Sequence, residues 1–181
     1  MSPARYAHTV RVAATACGLA SVFGAELRKT QAAAWLHDCA RDMPKQAQLR
    51  QAGAFGIVIA DVERHNPALL HAPLGAELAR RECGVHCESV LDAIRYHTTG
   101  RAGMSLLEKV VFIADYIEPE RRFRGADRVR EVALLDLDTA VLLALDQTIA
   151  HVLERAQLLH PNTLEARNDL ILQRIKREGR E

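Results

Sequence analysis

Large aromatic side chains are scarce in this sequence: one Trp, three Tyr and four Phe among 181 residues. Alanine and leucine must therefore fill whatever interior the chain builds, and both are strong helix formers. A chain of this size hides on the order of 70% of its unfolded surface in one core, so a single domain over residues 1–181 is expected. Charge of one sign is lacking too. Lys and Arg number 24 against 23 Asp and Glu, a net charge of +1, which excludes a global pull toward nucleic acid or an anionic membrane. No apolar run approaches the roughly 18 residues of a membrane span, and no signal-peptide pattern is present. The four cysteines, Cys17, Cys39, Cys83 and Cys87, complete no zinc-finger spacing even with His86 between the last two. They read as small buried or half-buried thiols in a reducing cytoplasm. Fixed-period repeats, low-complexity tracts and Pro/Gly-rich linkers are likewise missing.

What is there is helical periodicity. Tyr6, Val10, Ala13, Cys17 and Ala20 recur at steps of three and four and predict an inward face on a helix from Arg5 to Phe23, ended by Gly24. A second helix is expected from Glu26 to Arg41, with Ala32 to Leu36 buried on more than one side. Pro44 breaks it, and Lys45 to Ala52 reads as a short helix closed by Gly53. Ile57 to Asn66 is ambiguous, because Ile57, Val58 and Ile59 favour a strand while Val62 and Glu63 fit a short helix. Helices follow over His71 to Glu82, Cys87 to Tyr96 and Ser105 to Ile117, with a glycine-bearing loop from Thr98 to Gly103. Asp136 is placed to cap a long helix through Ala156 that Pro161 ends, and a last helix runs from about Thr163 to Lys176. The fold class expected is all-α.

Certain polar groups conflict with a simple bundle. His37 and Asp38 come straight after Ala-Ala-Ala-Trp-Leu, and Asp115 follows Val110, Val111, Phe112, Ile113 and Ala114. An unpaired imidazole or carboxylate buried there would be costly. His8, His71 and His97 pose a milder form of the same problem. A bound divalent metal would replace the lost hydration of both carboxylates and draw the histidines into one centre. His65, His86, His151 and His160 sit at turns, helix ends or mixed faces and read as background. A nucleophilic pair of Cys39 with His37 is disfavoured, because residues two apart on a helix do not face each other.

The order His8, His37-Asp38, His71, His97, Asp115 resembles the HD superfamily of metal-dependent phosphohydrolases. Leu36-His37-Asp38 with Arg41, Tyr96-His97-Thr98-Thr99-Gly100, and Glu108 to Pro119 through Arg121 are similar to the bacterial HD-type symmetrical diadenosine tetraphosphate hydrolases. The resemblance implies an HD-domain helical bundle, with a metal-site core at about 5–124 and C-terminal packing helices at about 131–177. It also implies two divalent ions per chain, iron by preference, and hydrolysis of diadenosine tetraphosphate to two ADP. Carried onto this chain, one ion takes His8, His37, Asp38 and Asp115, while the other shares Asp38 and takes His71 and His97. Arg41 stands where such motifs often carry Lys, and its planar fork is not equivalent to a lysine point charge.

Water activated by the metal pair is the expected nucleophile, with Asp38 central and Asp42 a candidate to orient the water or accept its proton. Thr98, Thr99, Gly100, Arg101, Lys109 and Arg121 are the candidates for phosphate contacts, and Arg122 and Arg124 extend a basic loop after Pro119. The expected partners are a dinucleoside polyphosphate or ADP, with no nucleic acid or membrane, and a homodimer is compatible with the sequence. Three other readings stay open: an HD phosphohydrolase acting on a nucleoside mono- or triphosphate or a signalling nucleotide, a noncatalytic nucleotide-binding module, and a helical interaction protein.

Overall fold

The computed structural model describes residues 1–123 and 125–179. Ten α-helices carry them: α1 Pro3–Phe23, α2 Leu27–Leu36, α3 Lys45–Ala54, α4 Asp61–His65, α5 His71–Glu82, α6 Glu88–Tyr96, α7 Leu106–Ile117, α8 Ala126–Ala133, α9 Leu137–Glu154 and α10 Pro161–Glu178. A 3-10 turn, Pro67–Leu70, leads into α5, and no strand occurs among the described residues. The architecture is the expected all-α bundle. None of the described helices is long and apolar enough to cross a membrane.

Helix α7 is the axis. Leu107, Val110, Val111, Phe112, Ile113, Ala114 and Ile117 are all buried, as a helix surrounded on every side requires. Val110 and Ile113 join the larger core with Val12, Leu19, Val141 and Leu145 of α1 and α9. Val111 faces the other way, into a second cluster with Ala33, Leu91 and Ile94 of α2 and α6. A third cluster, Ala40, Ala52, Leu70 and Leu74, ties α3 and α5 to the turn after α2. The start of α7 is a capping box, in which Ser105 Oγ accepts from Glu108 N–H and the Glu108 carboxylate accepts from Ser105 N–H.

Several local expectations change. The buried face of α1 is His8, Thr9, Val12, Ala13, Ala16, Leu19 and Ala20, whereas Tyr6 and Val10 are 56% and 40% exposed. Because α1 packs against both α2 and α7, its inward face is set by two neighbours rather than by the most apolar line. Tyr6 lies at the edge and meets the exposed Trp35, ring centroids 6.1 Å apart. Helix α2 stops at Leu36, not Arg41: past it the backbone bonds tighten to three-residue spacing, Cys39 to Leu36, Arg41 to Asp38 and Met43 to Ala40. No strand forms at Ile57 to Ile59: Ile57 and Ile59 pack on the third cluster without regular backbone pairing, and Glu63 reaches back to Ala60 N–H at 2.8 Å to open α4. Pro161 begins α10 rather than ending α9, which stops at Glu154. Helix α8 escapes the periodicity reading because its buried residues are only Ala126, Val129 and Ala133 in a charged segment. Cys83 is exposed, while the other three thiols are partly buried.

Asp136 caps α9 as expected, accepting from Thr139 N–H at 3.0 Å. Gly100 has a packing role. Its φ is +65°, and a Cβ there would lie 3.1 Å from Ala166 Cβ and 3.3 Å from Met104 Sδ. Gly100→Ala is therefore expected to cost about 2 kcal/mol of stability, through left-handed backbone strain and crowding against α10, measured as a shifted midpoint in urea unfolding.

Candidate metal centre

Five helices or their ends converge on one spot. His8 comes from the first half of α1, His37 and Asp38 from the turn closing α2, His71 from the start of α5, His97 from the end of α6 and Asp115 from the last turn of α7. The four rings form a row, with centroids 5.5 Å from His8 to His37, 4.9 Å from His37 to His97 and 4.9 Å from His97 to His71. Asp38 lies between the ends of the row. Its Oδ2 is 3.6 Å from both His8 Nε2 and His37 Nε2, and its Oδ1 is 3.2 Å from His71 Nε2 and 3.7 Å from His97 Nε2. Asp115 Oδ1 is 3.0 Å from His8 Nε2 and 4.0 Å from His37 Nε2. Three overlapping sets fit around a cation: His8, His37 and Asp38; His37, His97 and Asp115; Asp38, His71 and His97. The third is the set expected for one ion, and the first is the set expected for the other without Asp115; one Asp38 oxygen faces each half. The second crosses this division by joining His97 to Asp115.

The tautomers are set locally. His37 Nδ1 lies 2.7 Å from Ala34 O, His71 Nδ1 2.5 Å from Ala68 O and His97 Nδ1 2.7 Å from Ile94 O, each ring donating to the carbonyl three residues earlier. His8 Nδ1 faces Glu118 Oε1 at 3.2 Å. With Nδ1 as the donor, every Nε2 presents a lone pair inward, the state that binds a metal. The buried Nε2 atoms of His8 and His37 have no hydrogen-bond partner among the described residues. Those of His71 and His97 face each other at 3.1 Å, with Thr98 Oγ1 3.2 and 3.1 Å from the two. One hydroxyl proton cannot satisfy both, whereas cations shared with Asp38 satisfy the whole set. The donor set therefore fits a pair of divalent ions.

The charge states of the two carboxylates, and of His37 and His71, agree with this, while His97 is pulled the other way by the Asp38 carboxylate. Burial opposes ionisation of Asp38, yet the surrounding imidazoles hold its pKa far below the usual carboxylate range. Burial likewise opposes a charge on Asp115, but His8, His37 and Arg121 keep it low. Burial pushes His37 down to about 4 and lowers His71, while Asp38 overcomes burial and raises His97.

A ring of groups that sequence reasoning missed steadies these residues. Arg5 pairs with Asp38. Glu118, 3% exposed, holds His8 and accepts from Arg11 Nε at 2.7 Å. Their signal was spacing: Arg5, His8 and Arg11 recur every three residues on α1, and Glu118 follows Asp115 by three. Arg41 donates to Ala68 O at 3.0 Å, the carbonyl that orients His71, and its Nη1 also stands 2.9 Å from His71 Nδ1, so its role is to position that ring.

The phosphate candidates divide. Thr98 touches the centre, and Arg121 donates to Asp115 Oδ1 at 2.7 Å. The structure does not bring the others there. Arg101 is held by Glu108 at 2.6 Å and by Asp92 at 3.3 Å, because the carboxylate buried under the α7 cap needs a cation. Lys109 clamps α7 to α9 through Asp138 at 2.6 Å. Thr99 Oγ1 bonds to Gly100 O, and Gly100 packs on Ala166. Asp42 accepts from Ser2 N–H at 2.6 Å and lies 3.8 Å from Arg5 Nε, so its link to Asp38 runs through Arg5. Arg124 lies outside the described residues. The background histidines stay apart: His65, His86 and His151 are exposed, and His160 caps α10.

An all-helical fold with an aspartate between four inward-facing imidazoles defines a metal-dependent hydrolase centre. Residues 5–120 match the model of the HD domain, and the chain belongs to the HD superfamily of metal-dependent phosphohydrolases. It is 47% identical over 167 residues to the symmetrical bis(5'-nucleosyl)-tetraphosphatase of Bacillus subtilis, covering 92% of this chain and 89% of that protein. The protein of the same name from Halalkalibacterium halodurans is 44% identical, covering 93% and 90%. The crystal structure of a predicted HD superfamily hydrolase involved in NAD metabolism from Clostridium acetobutylicum superposes with a TM-score of 0.92 at 42% identity, covering 96% of this chain and 92% of that one.

Two outcomes are expected. Metal analysis of anaerobically prepared protein gives about two ions per chain, and Asp38→Ala loses most of both, because one carboxylate serves both halves. Second, between about pH 4 and 6.5 the unfolded chain carries a proton on residue 37 that the folded chain does not, since the folded ring is held at about 4. In chelator-treated protein this ring makes stability rise with pH across that window and fall on acidification. His37→Gln is expected to flatten that part of the curve of Tm against pH.

Proposed function

We propose that this chain hydrolyses dinucleoside polyphosphates and cleaves diadenosine tetraphosphate into two molecules of ADP. The observation that carries the proposal is Asp38, with one oxygen turned to His8 and His37 and the other to His71 and His97. Similarity over nearly the full length to proteins named for this reaction supports the choice of substrate.

When bound, two divalent ions neutralise phosphate charge and lower the pKa of water, the two requirements for attack on a polyanion. His8, His37, Asp38 and Asp115 would hold one ion, and Asp38, His71 and His97 the other. The chain's own residues then prepare the site. Arg5 keeps Asp38 in place, and Glu118 orients His8. Arg121, poised on Asp115, and Thr98, beside His71 and His97, offer donors to the phosphates. Asp42 acts by positioning Arg5. Water supplies the oxygen, the bond between phosphorus and the bridging oxygen breaks, and ADP leaves. No side chain need attack: Cys39, the thiol next to the His-Asp pair, is directed at Gly75 O at 3.6 Å, and burial pushes its pKa to about 11, so at neutral pH it is a thiol and not a thiolate.

Iron is the proposed occupant, on the resemblance to the family, within a nitrogen and oxygen donor set that suits several divalent ions. The free thiols suit a cytoplasmic setting. The test is a panel of diadenosine polyphosphates and mononucleotides assayed with and without chelator. Metal-dependent formation of two ADP per diadenosine tetraphosphate, lost by at least a thousandfold in Asp38→Ala, is the expected result. Faster release of inorganic phosphate or nucleoside from a mononucleotide would replace this substrate with another of the superfamily's kind.

A further inference from the structure

A cleft of about 710 Å3 lies where the end of α7 and the following turn meet α9, and the metal centre does not use it. Its size suits a small-molecule site. One wall is aromatic. Tyr116 and Phe123 meet edge to face with centroids 4.9 Å apart, Tyr116 is backed by Phe112 in the core, and Phe123 remains 42% exposed. The other wall is the polar edge of α9, with Gln147, Thr148 and His151.

Gln147 is held in a fixed orientation. Its Oε1 accepts from Tyr116 OH at 2.9 Å, and its Nε2 donates to Gly125 O at 3.3 Å. Each end of the amide keeps one unused capacity, a second N–H and a second lone pair. Gly125 is what admits the amide: a Cβ there would lie 2.6 Å from Gln147 Oε1, and its φ is +94°.

The cleft adjoins the centre along the chain. Tyr116 follows Asp115. Arg121, bonded to Asp115, is two residues before Phe123, a backbone span of at most about 7 Å. Arg130 fixes this turn by donating to the carbonyls of Ile117, Glu118 and Arg121 at 2.8, 3.0 and 2.5 Å.

Resting on the proposed hydrolysis of dinucleoside polyphosphates, we infer that this cleft receives a nucleobase of the substrate, stacked on Phe123 with its polar edge toward Gln147 and His151, while its phosphates pass Arg121 to reach the centre. A bare phosphate has no use for two aromatic rings, and a purely apolar ligand would leave His151 and the spare N–H and lone pair of the Gln147 amide unused. A nucleobase has both a π face and a rim of donors and acceptors.

The test removes the platform and reads base and phosphate separately. In Phe123→Ala the KM for diadenosine tetraphosphate is expected to rise about tenfold, more than kcat falls, since stacking on an aromatic side chain contributes on that scale. Phe123→Leu, which keeps apolar volume without a π face, should behave like the alanine variant, and Phe123→Tyr should restore the wild-type value. Calorimetry on metal-loaded protein should show ADP binding weakened about tenfold by Phe123→Ala and inorganic pyrophosphate binding unchanged. Equal KM and equal ADP affinity in wild type and Phe123→Ala would overturn the inference, as would an equal loss of pyrophosphate affinity. If the wild type binds ADP in a Phe123-dependent way but forms none from diadenosine tetraphosphate, the cleft assignment stands and the hydrolysis reading fails.

Discussion

An imidazole has two nitrogens, and fixing the proton on one decides what the other can do. The centre of this protein depends on that constraint applied four times. Three of the rings solve it identically, with Nδ1 giving its hydrogen to the carbonyl three residues back: Ala34 for His37, Ala68 for His71, Ile94 for His97. Carbonyls near helix ends lack their usual partners, so an imidazole placed at a helix terminus can use one without breaking the helix. This fits the places of the ligand candidates, whose acceptor carbonyls lie at the end of α2, in the 3-10 turn that leads into α5 and at the end of α6. The fourth ring, His8, lies within α1, where the ladder occupies its own carbonyls. It needs an outside acceptor, and Glu118 from beyond α7 supplies it.

Four inward lone pairs around two carboxylates would be unfavourable in a dry interior without positive charge. The helices accept this arrangement because apolar packing holds them independently of the centre. Val110 and Ile113 anchor one side of α7 and Val111 the other, so Asp115 is delivered by a helix that has little freedom to retreat. The cations that line the site are arginines: Arg5 on Asp38, Arg11 on Glu118, Arg121 on Asp115. A fixed planar fork suits such work better than a flexible ammonium. Arg41 shows the same preference, since its guanidinium reaches the Ala68 carbonyl that a point charge would hold less directionally.

The core of the site was legible in the sequence because burial and polarity contradicted each other there. His37 and Asp38 after an apolar run, and Asp115 after another, had no bland explanation. The steadying residues were less visible. Arg5, Arg11 and Glu118 are charged residues on surface-like segments, and only three-dimensional convergence distinguishes them from solvated ones. The opposite error affected Arg101 and Lys109. Lys109 lies within a matched motif and Arg101 directly after one, which suggested phosphate contacts, but each neutralises a carboxylate of the scaffold, Glu108 under the α7 cap and Asp138 on α9. Periodicity found the long helices and missed α8, where only three small or β-branched residues are fully buried. It also chose the wrong line on α1, because a helix with two partners buries a face wider than one apolar stripe.

Net charge proved a poor guide to the chemistry for a related reason. Twenty-four basic and 23 acidic side chains nearly cancel, yet Asp38, Asp115 and Glu118 are drawn into one small volume and their arginine partners stand around it. Such a site attracts cations first, through carboxylates kept ionised by their neighbours. Cations held there would neutralise those carboxylates and leave the arginines' positive charge unspent, which is the electrostatic condition that the proposed polyphosphate substrate requires.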